Sequence, residues 1–100
     1  MLHFVVEITF TTPDFSRIEP IVPGHRSFLQ VGYDRGWLLM SGPQNPRVGG
    51  MVIARAPSRA ELEAFFREDP YAQAGVATYR FTEFNPVKRA AFMEMWATGA

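Results

Sequence analysis

The sequence predicts an α+β fold in the order β-α-β-β-α-β, an antiparallel sheet with two helices on one face and a helical tail. Three stretches predict it. Residues 23–43 read as one helix, a glycine stop and an apolar strand ending in Ser41-Gly42-Pro43. Residues 2–10 and 76–84 carry the alternation and the β-branched and aromatic types of strands. Ser58-Arg59-Ala60-Glu61 opens a second helix with a capping box.

In the first strand, Phe4, Val6, Ile8 and Phe10 share one face, and His3, Val5, Glu7 and Thr9 share a more polar one. His3 is expected exposed or at a dimer face. Thr11 to Val22 is punctuated by Pro13 and Pro20 and reads as a loop with one irregular helical turn around 14–19. The first helix covers 23–36. Pro23 suits its first position, where the missing N–H has no partner to lose. Phe28, Leu29, Gly32 and Tyr33 follow at helical spacing, and Gly36 ends the run. Counting back from Phe28 and Leu29 by three and four reaches His25, which falls on the buried face in the first turn.

Trp37 to Ser41 forms the second strand. It is nearly all apolar, so it is expected to be central or covered on both faces. Residues 44–50 are turn chemistry leading to a third strand, Met51 to Ala56, which makes a hairpin with the second. Gly49-Gly50 precedes a strand and not a helix N-terminus, so it reads as turn and not as a phosphate loop. The second helix runs from Arg59 to about Glu68. Its inner stripe is Leu62, Phe65, Phe66 and, one turn on, Asp69, with Pro70 fixing the boundary. Tyr71 to Gly75 is a short turn, Val76 to Phe84 a fourth strand, and Pro86 its break. Val87 to Ala97 is expected to be a third helix with Ala91, Phe92, Met95 and Trp96 on one packing side. This order is the ferredoxin-like arrangement.

Composition narrows the function. One hundred residues make one domain, with 86–100 as a C-terminal helical extension. Ten basic and ten acidic residues cancel, and no basic stripe appears, which argues against nucleic acid. Cysteine is absent, so disulfides, thiolate catalysis and cysteine-metal sites are excluded. The apolar start is interrupted at Glu7, too early for a signal segment or membrane span, and a cytoplasmic location is the default. The second sheet face needs cover for Val5, Trp37 and Leu39. A homodimer stacked through that face supplies it, and a tail folded across it is the alternative.

The chemistry centres on His25 and Asp69. Both face inward, and a buried aspartate requires a donor. An aspartate that accepts one imidazole N–H fixes the tautomer and leaves the other nitrogen as a base. The carboxylate favours imidazolium while the helix N-terminus favours the neutral ring. Ser41, Gly42, Pro43 and Tyr71 are the candidate substrate contacts; Gly42 lets a backbone approach closely. Ser41 lacks a nucleophile elbow. His3, His25 and Asp69 lack metal-ligand spacing, so neither metal nor cofactor is expected. Two classes of function remain: an enzyme moving or removing a proton on a small ring compound, and a ligand-binding or accessory module in which the His–Asp pair is structural.

The ordered set His25, Phe28-Leu29, Gly36, Leu39-Met40-Ser41-Gly42-Pro43, Gly49-Gly50, Asp69-Pro70-Tyr71 and Gly75-Val76 resembles the YciI-like domain proteins over residues 2–86. That resemblance implies a dimeric α/β barrel related to muconolactone isomerase-like proteins. It also implies a His–Asp pair suspected of catalysis, which falls on His25 and Asp69. One resembling branch eliminates chloride from a chlorinated hydroxyquinol. The tail after Asn85 goes beyond the minimal family domain.

Overall fold

The computed structural model describes residues 1–99 of the chain. Its elements are β1 (Leu2–Phe10), α1 (Val22–Asp34), β2 (Leu38–Pro43), β3 (Gly49–Ala56), α2 (Arg59–Phe66), α3 (Pro70–Gln73), β4 (Ala77–Phe84) and α4 (Glu94–Thr98), with single 3₁₀ turns at Phe15–Arg17, Glu19–Ile21 and Ala91–Met93. The four strands form one antiparallel sheet in the order β2-β3-β1-β4. This is the predicted α+β, ferredoxin-like arrangement. The alternation in β1 holds: Phe4, Val6 and Ile8 are buried together with Val52, Ala54, Leu62 and Phe66 in one core.

Helix α1 begins at Val22 and ends at Asp34, slightly earlier than the sequence suggests at both ends. Gly36 closes it at φ +80°, a left-handed conformation that favours glycine. Gly32 lets α1 lie close to its neighbours. A Cβ there would stand 2.7 Å from Leu38 and 2.9 Å from Phe65.

Five expectations are corrected. The strand read as central or covered on both faces is the edge strand β2, which pairs with β3 alone and is exposed from Met40 to Pro43. Its apolar run arises because Trp37 and Leu38 are both buried at the strand entrance, and a register irregularity follows between Leu38 and Met40. Gly49-Gly50 are not turn residues but the start of β3, opposite Thr9 and Ile8. The reason is contact distance: a Cβ on Gly49 would overlap the Ile8 carbonyl oxygen. The chain after Phe66 does not stay in α2 through Glu68, and the turn expected at Tyr71 to Gly75 contains α3.

The fourth correction is the tail. Val87 to Ala97 is not one helix but a 3₁₀ turn followed by the five-residue α4. So short a run gains little from helix propensity and depends on packing. Phe92 and Met95 are 86% and 79% exposed in the chain, so the expected packing stripe is reduced to Trp96. Trp96 lies edge-on to His3 at 5.0 Å and under the Arg55 guanidinium at 5.2 Å. Arg55 also donates to the carbonyls of Gly36 and Trp96 at 2.8 Å each. His3, expected exposed or at a dimer face, is thus 5% exposed beneath the tail. Among the described residues no helix is long and apolar enough to cross a membrane.

Candidate functional site

Asp69 sits where one helix gives way to another. Pro70 disfavours helical geometry in the residue before it, and Asp69 is extended at φ −61°, ψ 128°. It is therefore the N-cap of α3 and not the last residue of an α2 stripe. Its Oδ1 accepts the Tyr71 backbone N–H at 3.1 Å, satisfying an orphan donor of the new helix.

The same carboxylate takes two further donors. His25 Nδ1 lies 2.8 Å from Oδ1, and the Tyr79 hydroxyl donates to Oδ2 over 2.6 Å. Asp69 is fully buried. Three donors offset the cost of removing a carboxylate from water. His25 comes from the first turn of α1, which rests on α3 through Gly24 and Pro70. Its ring stacks on Tyr71 at 4.0 Å and 15°. An ionised carboxylate only accepts, so the His25 proton belongs on Nδ1, leaving Nε2 as the free ring nitrogen.

Two tyrosines answer to this centre. Burial pushes the Tyr79 phenol well above its ordinary range, and its bond to Asp69 pushes it the same way. Burial, then the Asp69 charge, also raises Tyr71. Tyr79 thus stays a hydrogen-bond donor at every physiological pH.

A cavity of about 310 Å³ opens beside the pair, between α1 and the β2-β3 hairpin. His25, Ser41, Gly42, Pro43 and Tyr71 all line it. Asp69 does not; it stands behind His25, whose side chain is 12% exposed. The Ser41 hydroxyl is 2.6 Å from the Tyr33 hydroxyl, which ties the strand end to α1. Gly49 and Gly50 belong to the wall as main chain. His3 lies on the opposite face of the sheet, apart from His25 and Asp69. Among the described residues no three His, Cys, Asp or Glu side chains form a group that could hold a metal ion.

Sequence reasoning missed Tyr79, Arg26 and Arg47. Tyr79 had a signal: alternation in β4 puts it inside with Phe81, ten positions past Asp69. Arg26 and Arg47 both line the cavity. Arg26 follows His25 on the exposed flank of α1, and Arg47 belongs to a loop, where no periodicity assigns a direction.

The comparisons with known proteins bear on the family and the fold. A family model described as the YCII-related domain matches residues 3–85. A solved structure, the 5-chloro-2-hydroxyhydroquinone dehydrochlorinase TftG from Burkholderia phenoliruptrix AC1100 in complex with 2,5-dihydroxybenzoquinone, superposes with a TM-score of 0.73. The two chains are 16% identical, and the match covers 90% of this chain and 97% of that one. At that identity the likeness is one of fold. No curated protein matches.

Proposed function

The chain belongs to the YCII-related domain family, and on that premise we propose that it is a small-molecule enzyme in which His25 is a general acid–base and Asp69 its positioning partner. The observation that carries this reading is the 2.8 Å contact between His25 Nδ1 and Asp69 Oδ1, with the ring set in the cavity wall. The carboxylate fixes the proton on Nδ1, and Nε2 is then a base presented to a bound ligand. Its charge also stabilises the imidazolium that forms when Nε2 takes a proton.

The substrate class is a small cyclic or aromatic compound. A cavity of about 310 Å³ suits a single ring, and apolar side chains such as Ile8, Val22 and Leu29 furnish its walls. In an isomerisation, Nε2 removes a proton from carbon, the C–H pair becomes a new π bond, and the existing π pair is displaced to another carbon, where it takes the proton back from Nε2. In an elimination, the same pair forms the π bond while a leaving group such as chloride departs with its bonding electrons. The similarity in fold to a dehydrochlorinase supports the second form. Ser41, Gly42, Pro43 and Tyr71 would contact the ligand.

The test is a screen of the purified protein against lactones, enols and chlorinated hydroxyquinols, following chloride release and deuterium uptake from solvent. Turnover abolished in His25→Ala supports the reading. Turnover unchanged in that variant withdraws it.

A second reading rests on the three donors gathered on Asp69, which join α1, α3 and β4 at one point. In that reading the pair is structural and the cavity only binds. We also propose that a second copy of the chain covers the sheet face opposite the helices, where Val5 and Ile53 sit side by side in the ladder and the tail covers only the His3 end.

A further inference from the structure

Two arginines, Arg26 and Arg47, and no acidic residue line the cavity beside His25; Arg47 also lines a second cavity with Phe15. Asp69, the carboxylate bonded to His25, is absent from the lining and is occupied by three donors. Arg26 and Arg47 are exposed, and among the described residues neither forms an ion pair; the pairs present are His25–Asp69, Arg59–Glu63 and Arg89–Glu94. The Arg47 guanidinium is steadied over the Phe15 ring at 4.5 Å, which orients it without neutralising it. The net charge of the chain is zero, so this local excess of positive charge is a property of the cavity and not of the whole surface.

We propose that the cavity takes an anionic ring compound, with Arg26 and Arg47 holding its carboxylate or ionised enol while the ring lies on the apolar wall. The proposal builds on the site described above and names its substrate class. Arginine suits the task because its planar donors match two oxygens at once and it never loses its charge. The reach of both charges into the wall is visible at Tyr71. Burial and Asp69 raise that phenol, and Arg47 and then Arg26 pull it back down. An anionic substituent also fits the proposed chemistry. Charge that develops on the ring when Nε2 removes a proton spreads toward the same guanidiniums.

The experiment is a titration of the ¹⁵N-labelled protein with two matched pairs of probes, benzoate against benzamide and 2,5-dihydroxybenzoate against 2,5-dihydroxybenzamide. The amides of Gly42, Gly49 and Gly50, which line the cavity, are the reporters. The expected result is that each acid binds roughly tenfold or more tightly than its amide, and that added salt narrows the gap. Arg26→Ala and Arg47→Ala should each weaken the acids about five- to tenfold and leave the amides unchanged. Arg80→Ala, exposed on β4 and absent from the cavity lining, removes the same net charge and should change neither. Acids that bind no better than amides, in both pairs, overturn the proposal, as does selectivity that survives loss of both arginines. His25→Ala separates this from the catalytic reading. A variant that keeps the acid preference leaves the anion site standing even where turnover shows His25 not to be the base.

Discussion

Tyr79 donates its hydroxyl proton to Oδ2 of Asp69 over 2.6 Å, on the oxygen that His25 does not use. The tyrosine and the histidine therefore share one buried charge without competing for it. Removing either leaves the carboxylate with two donors.

Tyr79→Phe is expected to destabilise the fold by about 1–3 kcal/mol, since a buried acceptor loses a partner and nothing polar replaces it. It should also change the alkaline limb of stability. The Tyr79 phenol is raised by burial first and then by Asp69, from an ordinary value of 10.0. A proton held more tightly in the fold than in the unfolded chain stabilises the fold fully below that ordinary value. The stabilisation fades as pH climbs past it. Denaturant midpoints from about pH 9 to about pH 12 should fall less steeply in Tyr79→Phe than in the parent. Parallel curves would show that Tyr79 does not carry the effect.

His25→Ala and Asp69→Ala should differ in stability. The first removes one of three donors beside an open cavity, where water can take its place, and should cost about 1–2 kcal/mol. The second strands the Tyr79 hydroxyl, the Tyr71 N–H and His25 Nδ1 together, and should cost about 3–5 kcal/mol. Asp69→Asn falls between, because an amide oxygen still accepts while its NH₂ faces a donor. Thermal melts of the three check the order. A collapse of His25→Ala comparable to Asp69→Ala would favour the structural reading of the pair.

Gly49→Ala and Gly42→Ala make a contrast within one hairpin. At Gly49 a methyl group meets the Ile8 carbonyl, which is fixed in the β1-β3 ladder, and a loss of about 3 kcal/mol or more is expected. At Gly42 nothing lies within 4 Å, so the fold should tolerate the methyl group while the cavity narrows. Circular dichroism melts measure the first effect. An unchanged melt for Gly49→Ala would contradict the close approach of the two strands.

Sedimentation equilibrium at micromolar concentration should report about twice the chain mass, because Val5 and Ile53 lie on a sheet face that the tail covers at one end only. A single-chain mass would argue that this face stands alone.

Much of this was legible in the sequence, and the exceptions share causes. The succession of helices and strands along the chain and the His25–Asp69 contact follow from periodicity, from glycine and proline stops, and from the demand of a buried carboxylate for a donor. The position of β2 at the edge was not legible. Trp37 and Leu38 are apolar for reasons of local packing at the strand entrance, and an apolar run does not distinguish that from a central strand. Gly49 read as a turn because glycine marks turns and close approaches alike, and only the paired strand tells them apart. The tail failed as a helix because an amphipathic stripe predicts a packing partner that Phe92 and Met95 lack within the chain. Arg26 and Arg47 were missed because charge on a helix flank or a loop reads as solvated surface until a cavity is seen beside it.

The sheet side of the cavity is built partly from main chain, at Gly42, Gly49 and Gly50, and this limits how the site can be retuned. Gly49 admits no larger residue, so that part of the wall cannot be moved inward to suit a smaller ligand. Changes of ligand size are left to Gly42, where a methyl group meets nothing, and to the helix side, where Val22 and Leu29 stand two turns apart on α1. Trimming either makes room for a bulkier ring without disturbing a strand. Leu29 also belongs to the core, so Val22 is the position at which ligand preference and fold stability are most nearly independent. A redesign for new substrates would begin there.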